Sequence, residues 1–389
     1  METNKSTAAL TFSTIAMIVS FAVWSVLSPL ANQFQSMYSL TSTEKSILVA
    51  TPVLLGSIMR IPFGILTDRI GGKKLFTFLM LFLVIPMVGA GFASSYGELL
   101  FWALFIGLAG TTFAIAISYV SRWYPPEQQG LVLGITGMGN LGTAVVGFLI
   151  PTMVASFGIP WSFWILAGSI GVMAIIFWLC TEELPKPEQV KTFRAALSVI
   201  KIRKVWVLSF FYFVTFGGFV AFSLYLPILL QDLFALTTVD AGFRAAGFVL
   251  LATFIRPIGG YLSDRMGASK VLLVVFAGIF IDALLIAFFT DQISFFSAGC
   301  LSISLLVGIG NGAVFKLVPQ VVPGNTGAVT GFVGAAGGLG GFFPPIVLGA
   351  IRDATGSYFL GFILLALVAF CCLLVHYREF AETERHTYE

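Results

Sequence analysis

Arg60-Ile-Pro-Phe-Gly64-Ile-Leu-Thr-Asp68-Arg69-Ile-Gly71-Gly-Lys-Lys74 is the stretch of sequence that decides the fold, because the chain contains it twice. The second copy reads Arg256-Pro-Ile-Gly-Gly260-Tyr-Leu-Ser-Asp264-Arg265-Met-Gly267-Ala-Ser-Lys270. At a constant offset of 196 residues, an Arg, a Gly, a Leu, an Asp, a second Arg, a second Gly and a Lys coincide. Such a match indicates an internal duplication, so the chain is predicted to consist of two related halves.

The composition excludes a water-soluble protein. Of the 389 residues, 58% are hydrophobic and only 10% are charged, whereas soluble domains carry about 25% charged residues. The apolar runs recur along the whole chain, which excludes a single signal peptide or tail anchor. They are continuous and do not alternate with polar residues, which excludes a membrane β-barrel. We therefore expect an all-α membrane protein.

The apolar runs predict twelve transmembrane helices, since a helix needs about 20 residues to cross about 30 Å of hydrocarbon. We number them spans 1 to 12, and they lie near residues 9–31, 46–66, 75–93, 98–120, 131–153, 161–180, 205–230, 240–262, 271–289, 293–315, 326–350 and 357–376. One polar interval, 181–204, separates spans 1 to 6 from spans 7 to 12. We expect two pseudo-symmetric six-helix halves, residues 1–180 and 205–389, joined by a cytoplasmic linker over 181–204, with a short cytoplasmic tail at the end.

The basic residues predict the orientation, because cytoplasmic loops are enriched in Lys and Arg. If both termini are cytoplasmic, the outer side keeps only Lys45, Arg244 and Arg352. The cytoplasmic side then carries Lys5, Arg69, Lys73, Lys74, Arg122, Lys186, Lys191, Arg194, Lys201, Arg203, Lys204, Arg265, Lys270, Lys316, Arg378 and Arg385. This imbalance predicts a multi-pass protein with both termini in the cytoplasm.

The sequence supplies little for enzyme chemistry. The cysteines all lie inside apolar segments and show no metal-ligand spacing; they are Cys180, Cys300, Cys371 and Cys372. The two histidines, His376 and His386, lie at the end of span 12 and in the tail. We therefore expect no enzymatic activity, no metal and no cofactor.

Two arginines, Arg60 and Arg256, remain inside the membrane after the loops are assigned. Each precedes its loop by about two helical turns, roughly 12 Å of depth. An Arg at the centre of a membrane helix costs about 2.5–3.5 kcal/mol even on the lenient insertion scale, so two symmetric copies indicate a function. Guanidinium groups suit a planar oxyanion, and the duplication places them opposite each other between the halves. The alternative is that each pairs with backbone carbonyls or a distant acid.

Aromatic residues accompany the arginines. Phe113 ends Gly110-Thr-Thr-Phe113 in span 4, and Phe315 ends Gly310-Asn311-Gly-Ala-Val-Phe315 in span 10. They occupy related places in the repeat, so they are candidates to enclose a flat ligand, although core packing is the alternative for any one Phe in a chain with 40. Tyr212, in span 7, carries a hydroxyl that needs a partner or a ligand.

Spans 5 and 11 are rich in glycine. Span 5 carries Gly137, Gly139, Asn140 and Gly142, and span 11 carries Gly337, Gly338, Gly340 and Gly341 before Pro344 and Pro345. A helical glycine costs about 1 kcal/mol relative to alanine, so this density needs a reason. We interpret it as close helix contacts that slide during a conformational change; static packing of small residues is the alternative. Asn140 is a candidate to offer its amide to the ligand.

The duplicated loops carry Asp68 and Arg69 in the first half and Asp264 and Arg265 in the second. Their presence in both halves favours a conformational latch, and the alternative is a basic loop that only sets topology.

Together, these motifs resemble the bacterial nitrate/nitrite porters of the major facilitator superfamily over essentially the whole chain. The resemblance rests on Arg60 and Arg256, on Gly-x-Gly-Asn-x-Gly at 137–142, on Gly-Gly-Leu-Gly-Gly-Phe-Phe-Pro-Pro at 337–345, and on the span 10 motif. It implies that Arg60 and Arg256 bind the anion, while Asn140, Tyr212, Phe113 and Phe315 shape its pocket.

The resemblance also implies the activity. The resemblance implies a secondary carrier of nitrate and nitrite in the bacterial cytoplasmic membrane, and both exchangers and proton-coupled importers occur in this family. We expect nitrate uptake with nitrite extrusion by alternating access. The expected partners are the small anion and the lipid bilayer, with no nucleic acid, and the chain is expected to be a monomer. Proton-coupled nitrate import, another small monovalent anion, and an anion channel remain as alternatives. Neither Asp282, the one acid in the middle of a span, nor Lys316 decides between them.

Overall fold

The computed structural model describes residues 2–125, 132, 135–183, 198–321 and 326–385. The side chains of Asp68, Asp264 and Phe315 lie outside this description, as does His386. Most of the predicted linker, residues 184–197, is also outside it. Within the described residues, all regular secondary structure is helical.

Each predicted span corresponds to helical structure in the described residues. The helices of the first half are Glu2–Ser25 with Ala31–Tyr38 (span 1), Ser42–Ile58 with Arg60–Ile70 (span 2), Gly72–Phe92 (span 3), Tyr96–Ile106 with Thr112–Ser121 (span 4), Leu141–Phe157 (span 5) and Ile159–Cys180 (span 6). Those of the second half are Arg203–Phe234 (span 7), Thr238–Met266 (span 8), Ala268–Phe288 (span 9), Ile293–Val321 (span 10), Thr326–Leu339 with Phe343–Thr355 (span 11) and Phe359–Arg385 (span 12).

Span 2 is the span that length alone fails to identify. Among the described residues, 11 helical stretches are long and apolar enough to cross a membrane, and span 2, which is divided at Met59 into two helices, is not one of them. Pro62 has no N–H to donate to the carbonyl of Ile58 one turn earlier, which explains the interruption. The two pieces, of 17 and 11 residues, together form the twelfth span, so the predicted all-α fold is confirmed.

Several helices continue beyond their predicted ends. Span 12 runs to Arg385 and span 10 to Val321, each past the last apolar run. Hydropathy marks the apolar core of the bilayer, but a helix continues as long as its backbone hydrogen bonds can form. The predicted ends at 376 and 315 therefore mark the apolar spans, and the helices continue beyond them.

The halves meet through two equivalent pairs of helices. Span 5 packs against span 8, and span 11 packs against span 2. The duplication relates span 5 to span 11 and span 2 to span 8, so the two contacts are equivalent: in each, a glycine-rich helix of one half packs against an arginine-bearing helix of the other. At the first crossing, Gly147 and Gly242 bring their backbones together. Arg60 and Arg256 lie on spans 2 and 8, and both arginines are therefore at the interface between the halves.

Candidate functional site

Arg60 connects the two halves at the centre of the bundle. Its side chain is 2% exposed, and it begins the second helix of span 2. The Nε atom donates to the carbonyl of Gly110 in span 4 at 3.2 Å, and Nη1 donates to the carbonyl of Gly334 in span 11 at 3.1 Å. The buried Nη2 atom has no hydrogen-bond partner among the described residues. Backbone carbonyls thus satisfy part of this guanidinium, and one nitrogen stays available.

Aromatic rings surround the Arg60 guanidinium. Its Cζ atom lies 5.5 Å from the centre of the Phe113 ring and 5.4 Å from that of Phe216. The Phe216 ring in turn stacks on Tyr212, with ring centres 4.9 Å apart and planes 6° apart. Such rings attract a cation through their negative faces and keep water away from it. The structure therefore places Phe113 and Phe216 beside Arg60, with Tyr212 stacked on Phe216.

Arg256 approaches the same place from the second half. It is half-buried in span 8, and its Nη1 atom lies 3.7 Å from the position that a Cβ on Gly137 of span 5 would take. The Tyr212 hydroxyl interacts electrostatically with both guanidinium groups. The structure thus brings Arg60, Arg256 and Tyr212 together between the halves.

Asn140 contributes an amide from span 5. It ends a 3-10 turn, Met138–Asn140, and lies three residues after Gly137, which is beside Arg256. The side chain is 2% exposed, and its Oδ1 atom has no hydrogen-bond partner in the described part of the chain. An amide can present its oxygen or, after a flip, its NH2 donors to the same space. Asn140 is therefore an unused polar group on the side of span 5 that carries Gly137.

The glycines of span 5 are packing positions against span 1. A Cβ on Gly139 would lie 2.6 Å from Cγ of Met17, and one on Gly142 would lie 2.7 Å from the backbone nitrogen of Ala22. Real Cβ atoms do not approach other atoms so closely, so only glycine allows the two helices to come this near.

The glycines of span 11 have the same role against two other helices. A Cβ on Gly337 would lie 2.7 Å from Cε1 of Tyr212, and one on Gly340 would lie 2.9 Å from Cα of Gly217. Gly341 abuts Val220 in span 7, and Gly338 abuts Ser57 in span 2, close to Arg60. Span 11 therefore touches both halves at the level of the arginines.

The duplicated loops are less fully described. Arg69 and Arg265 are exposed, and the Arg265 guanidinium lies 5.0 Å from the ring of Tyr261. The side chains of Asp68 and Asp264 lie outside the described part of the structure. The latch therefore stays a prediction.

Asp282 lies apart from the arginines. It sits on span 9, which packs against spans 10 and 12, and its carboxyl neighbours are Ser302 and Cys300. Lys316 is exposed near the end of span 10. Within the described residues there is also no group of three His, Cys, Asp or Glu side chains suited to a metal ion.

Sequence reasoning left two buried polar groups without a role. Asn311 in span 10 is 3% exposed and Thr215 in span 7 is 0% exposed, and neither Oδ1 of the first nor Oγ1 of the second has a hydrogen-bond partner in the described residues. Thr215 is one turn beyond Tyr212 on the same face of span 7, a spacing that was available as a signal. The Gly334 carbonyl also escaped prediction, because a backbone acceptor has no signature in the sequence.

The end of the bundle opposite the duplicated loops is closed by polar contacts between the halves. Lys45 of span 2, only 1% exposed, forms an ion pair with Asp232 of span 7 at 2.9 Å. Asn32 accepts from Lys45 at 2.8 Å and donates to Asp232 at 3.2 Å, and Tyr358 donates to Asp232 at 2.8 Å. We call these four residues the Lys45–Asp232 network.

A second set of contacts lies beside this network. The Asp353 carboxylate accepts hydrogen bonds from the backbone nitrogens of Ser42 and Thr43, at 3.0 and 2.8 Å. These nitrogens begin span 2, where a helix has free N–H groups and favours a negative charge. The Ser46 hydroxyl also meets that of Tyr225 at 2.9 Å. Together with the Lys45–Asp232 network, these contacts hold the first half to the second at this end.

Several known proteins are similar to this chain in sequence, and a solved structure is similar to it in fold. Residues 13–345 match the Major Facilitator Superfamily. The chain is 37% identical over 366 residues to the "Nitrite extrusion protein" of Bacillus subtilis strain 168, covering 94% of this chain and 92% of that protein. It is 38% identical over 382 residues to the "Probable nitrate/nitrite transporter NarK2" of Mycobacterium tuberculosis, covering 96% and 97%. It is 39% identical over 374 residues to the "Probable nitrate transporter NarT" of Staphylococcus carnosus, covering 96% of each.

A solved structure supports the fold independently. A bacterial homologue of the human lysosomal transporter Spinster, in its inward-facing and unoccupied conformation, superposes with a TM-score of 0.72 and 19% identity, covering 96% of this chain and 95% of that one. At this identity the likeness concerns the fold alone. The sequence matches go further, because they extend over nearly the full length of proteins that are each named for nitrate or nitrite transport. The chain belongs to the major facilitator superfamily and, within it, to the bacterial nitrate/nitrite porters.

Proposed function

We propose that the protein is a secondary carrier that exchanges nitrate for nitrite across the bacterial cytoplasmic membrane by alternating access, taking nitrate in and extruding nitrite. The observation that carries the proposal is that Arg60 and Arg256, one from each half, both interact with Tyr212 at the interface between the halves. Two guanidinium groups at the centre of a membrane protein demand a negative charge, and planar nitrate and nitrite fit their donor geometry.

Each candidate residue has a role in this site. Arg60 offers its unpartnered Nη2 to the anion and keeps its other nitrogens on the Gly110 and Gly334 carbonyls. Arg256 binds the anion from the other half, and the Tyr212 hydroxyl interacts with both cations. Phe113 and Phe315 form the apolar walls. Asn140 turns its amide donors toward the anion oxygens.

The anion also explains how binding is coupled to movement. Two facing cations repel each other strongly where the dielectric constant is low. A bound anion removes much of this repulsion, so the loaded carrier brings its halves together and reorients more easily than the empty one. This difference favours exchange, in which an anion accompanies the carrier in both directions.

The glycine contacts are the surfaces at which the two halves move against each other. Span 5 and span 11 lie at the two equivalent contacts between the halves, and their glycines allow adjacent backbones to slide without side chains interlocking. The two ends of the bundle open in turn. In the described conformation the end opposite the duplicated loops is closed, and the loops with Asp68, Arg69, Asp264 and Arg265 act as the latch at the other end.

The arrangement in the membrane follows from the basic residues. We place the duplicated loops, both termini and the linker over 181–204 in the cytoplasm, with residues 1–180 and 205–389 as the moving halves. The Lys45–Asp232 network then faces the outside. One chain contains the complete site, so a monomer is sufficient for transport.

Counterflow in proteoliposomes tests the proposal. Vesicles loaded with nitrite should take up labelled nitrate faster than empty vesicles, because a carrier is accelerated by substrate on the opposite side, whereas a channel is not. Arg60→Lys and Arg256→Lys should each abolish most uptake while inserting normally, since lysine keeps the charge and loses the planar fork of donors. Arg244→Lys, an exposed arginine on span 8, is the matched control and should transport normally.

The same vesicles separate the alternatives. Nitrate accumulation that requires an inward proton gradient and ignores internal nitrite would establish proton-coupled import in place of exchange. Uptake of formate or chloride in preference to nitrate would show that the carrier's substrate is another monovalent anion. Near-normal nitrate uptake by either lysine variant would contradict the assigned roles of the arginines.

A further inference from the structure

Asn311 and Thr215 form a buried polar patch that the proposed site does not use. Asn311 is 3% exposed, Thr215 is 0% exposed, and the Oδ1 and Oγ1 atoms have no hydrogen-bond partner in the described residues. A buried polar group left unpaired is destabilising, so two such groups in one place require a reason.

Glycine contacts on either side of Asn311 fix where its side chain lies. A Cβ on Gly310 would lie 2.6 Å from Cγ2 of Thr215 in span 7, and one on Gly312 would lie 2.5 Å from the carbonyl oxygen of Arg256 in span 8. Successive helical residues are about 100° apart, so the side chain between these two glycines projects between span 7 and span 8. Tyr212 of span 7 interacts with Arg256 of span 8, so these two helices carry polar groups of the proposed site.

The positions along the two helices agree with this placement. Thr215 lies three residues after Tyr212, on the same face of span 7. Asn311 lies four residues, about one helical turn, before Phe315 in the sequence of span 10. Both polar groups are therefore about one turn from residues of the proposed pocket.

We propose that the Asn311 carboxamide is a further anion-binding group, reaching the substrate from the second half while Asn140 reaches it from the first. The proposal rests on the function proposed above. After an amide flip the Asn311 NH2 group takes the place of the unpartnered Oδ1 atom and donates to an anion oxygen, and the Thr215 hydroxyl is a second donor from span 7. Each half then supplies one guanidinium and one amide, although the two amides stand on non-equivalent helices, span 5 and span 10.

The kinetics of Asn311→Ala test the proposal. A hydrogen bond to a charged group contributes enough that its loss should raise the nitrate concentration for half-maximal counterflow by about tenfold or more. The maximal rate per folded protein should stay within about twofold of the unmodified protein, because saturating nitrate compensates for weak binding. Asn311→Asp, which has the same shape and adds a negative charge, should abolish saturable uptake.

A binding measurement tests the proposal in variants that transport too slowly for their kinetics to be measured. Nitrate should raise the melting temperature of the unmodified protein in detergent, and the nitrate concentration needed for a given shift should rise about tenfold or more in Asn311→Ala. Thr215→Val, which removes only the hydroxyl, should show a smaller change in the same direction.

Thr77→Val is the matched control. Thr77 is also buried, at 8% exposure, and its Oγ1 atom also lacks a hydrogen-bond partner in the described part of the chain, but it lies on span 3. This variant should leave the nitrate dependence unchanged. An unchanged half-saturating concentration in Asn311→Ala, with a maximal rate that falls in proportion to folded protein, would overturn the proposal. So would an equal rise in Thr77→Val. Absence of nitrate counterflow in the unmodified protein would instead contradict the proposed function.

Discussion

Removing Lys45 should open the end of the carrier opposite the duplicated loops. Lys45 is 1% exposed and its ion pair with Asp232 measures 2.9 Å, so the pair crosses between the halves in a largely dry environment. In Lys45→Ala the Asp232 carboxylate keeps its hydrogen bonds from Asn32 and Tyr358 but loses its counter-charge. The Lys45–Asp232 pair and the Asn32 bond cross between the halves and exist only when this end is closed, so the substitution destabilises the closed end selectively.

The size of the effect follows from the burial of the pair. Breaking a fully buried ion pair by removing one partner costs about 3–5 kcal/mol. Because Asp232 is 19% exposed and keeps two hydrogen bonds, we reduce this to about 2–3 kcal/mol. At about 1.4 kcal/mol per factor of ten, the ratio of open to closed end should rise about 30- to 150-fold.

Cysteine labelling measures this ratio. In a variant lacking the four native cysteines, Ser223→Cys introduces a thiol on span 7, at a side chain that is 7% exposed with this end closed. A membrane-impermeant maleimide added from outside should react much faster once Lys45→Ala is added. The exposed pair Asp240–Arg244, at 3.3 Å on the same end, is the matched control, and Arg244→Ala should change labelling by no more than about twofold.

A double-mutant cycle identifies the pair as the cause. Lys45→Met with Asp232→Leu removes both charges and fills the space with apolar side chains, so it should label more slowly than Lys45→Ala alone. If Lys45→Ala labels no faster than the parent, or if the double variant shows the sum of the two single effects, the pair does not hold this end closed.

Three further substitutions test other parts of the site. Gly340→Ala should reduce the counterflow rate about tenfold or more, because the added methyl group would collide with the Gly217 backbone. Gly331→Ala in the same span is the control and should transport normally, because a Cβ at Gly331 would have nothing within 4 Å. Equal rates for the two variants would argue against sliding contacts. Phe113→Ala should weaken nitrate affinity more than it lowers the amount of folded protein, and the reverse pattern would make Phe113 a packing residue. Asp282→Asn should leave nitrate/nitrite counterflow largely intact, whereas a loss of counterflow would give this carboxyl a role in transport.

The sequence by itself determined the class of fold, and it singled out Arg60 and Arg256 as candidates for the site. Continuous apolar runs predict membrane-spanning helices, because apolar side chains are stable in the hydrocarbon core and a helix satisfies its backbone hydrogen bonds internally. The repeat around Arg60 and Arg256 predicted two halves, since a duplicated sequence folds twice in the same way. Both features depend on local chemistry and on regular spacing, which a sequence displays directly.

The partners of these residues depended on the tertiary structure. The Gly334 carbonyl binds Arg60 from 274 residues away, and Asp232 meets Lys45 across 187 residues. Lys45 had been predicted as a residue of the outer side, and the structure makes it a buried contact between the halves. No local sequence pattern predicts these long-range contacts, because they depend on how the two halves pack against each other. The sequence therefore identified which charges lie in the membrane, and only the packing of the halves decided which groups neutralise them and which atoms stay available to an anion.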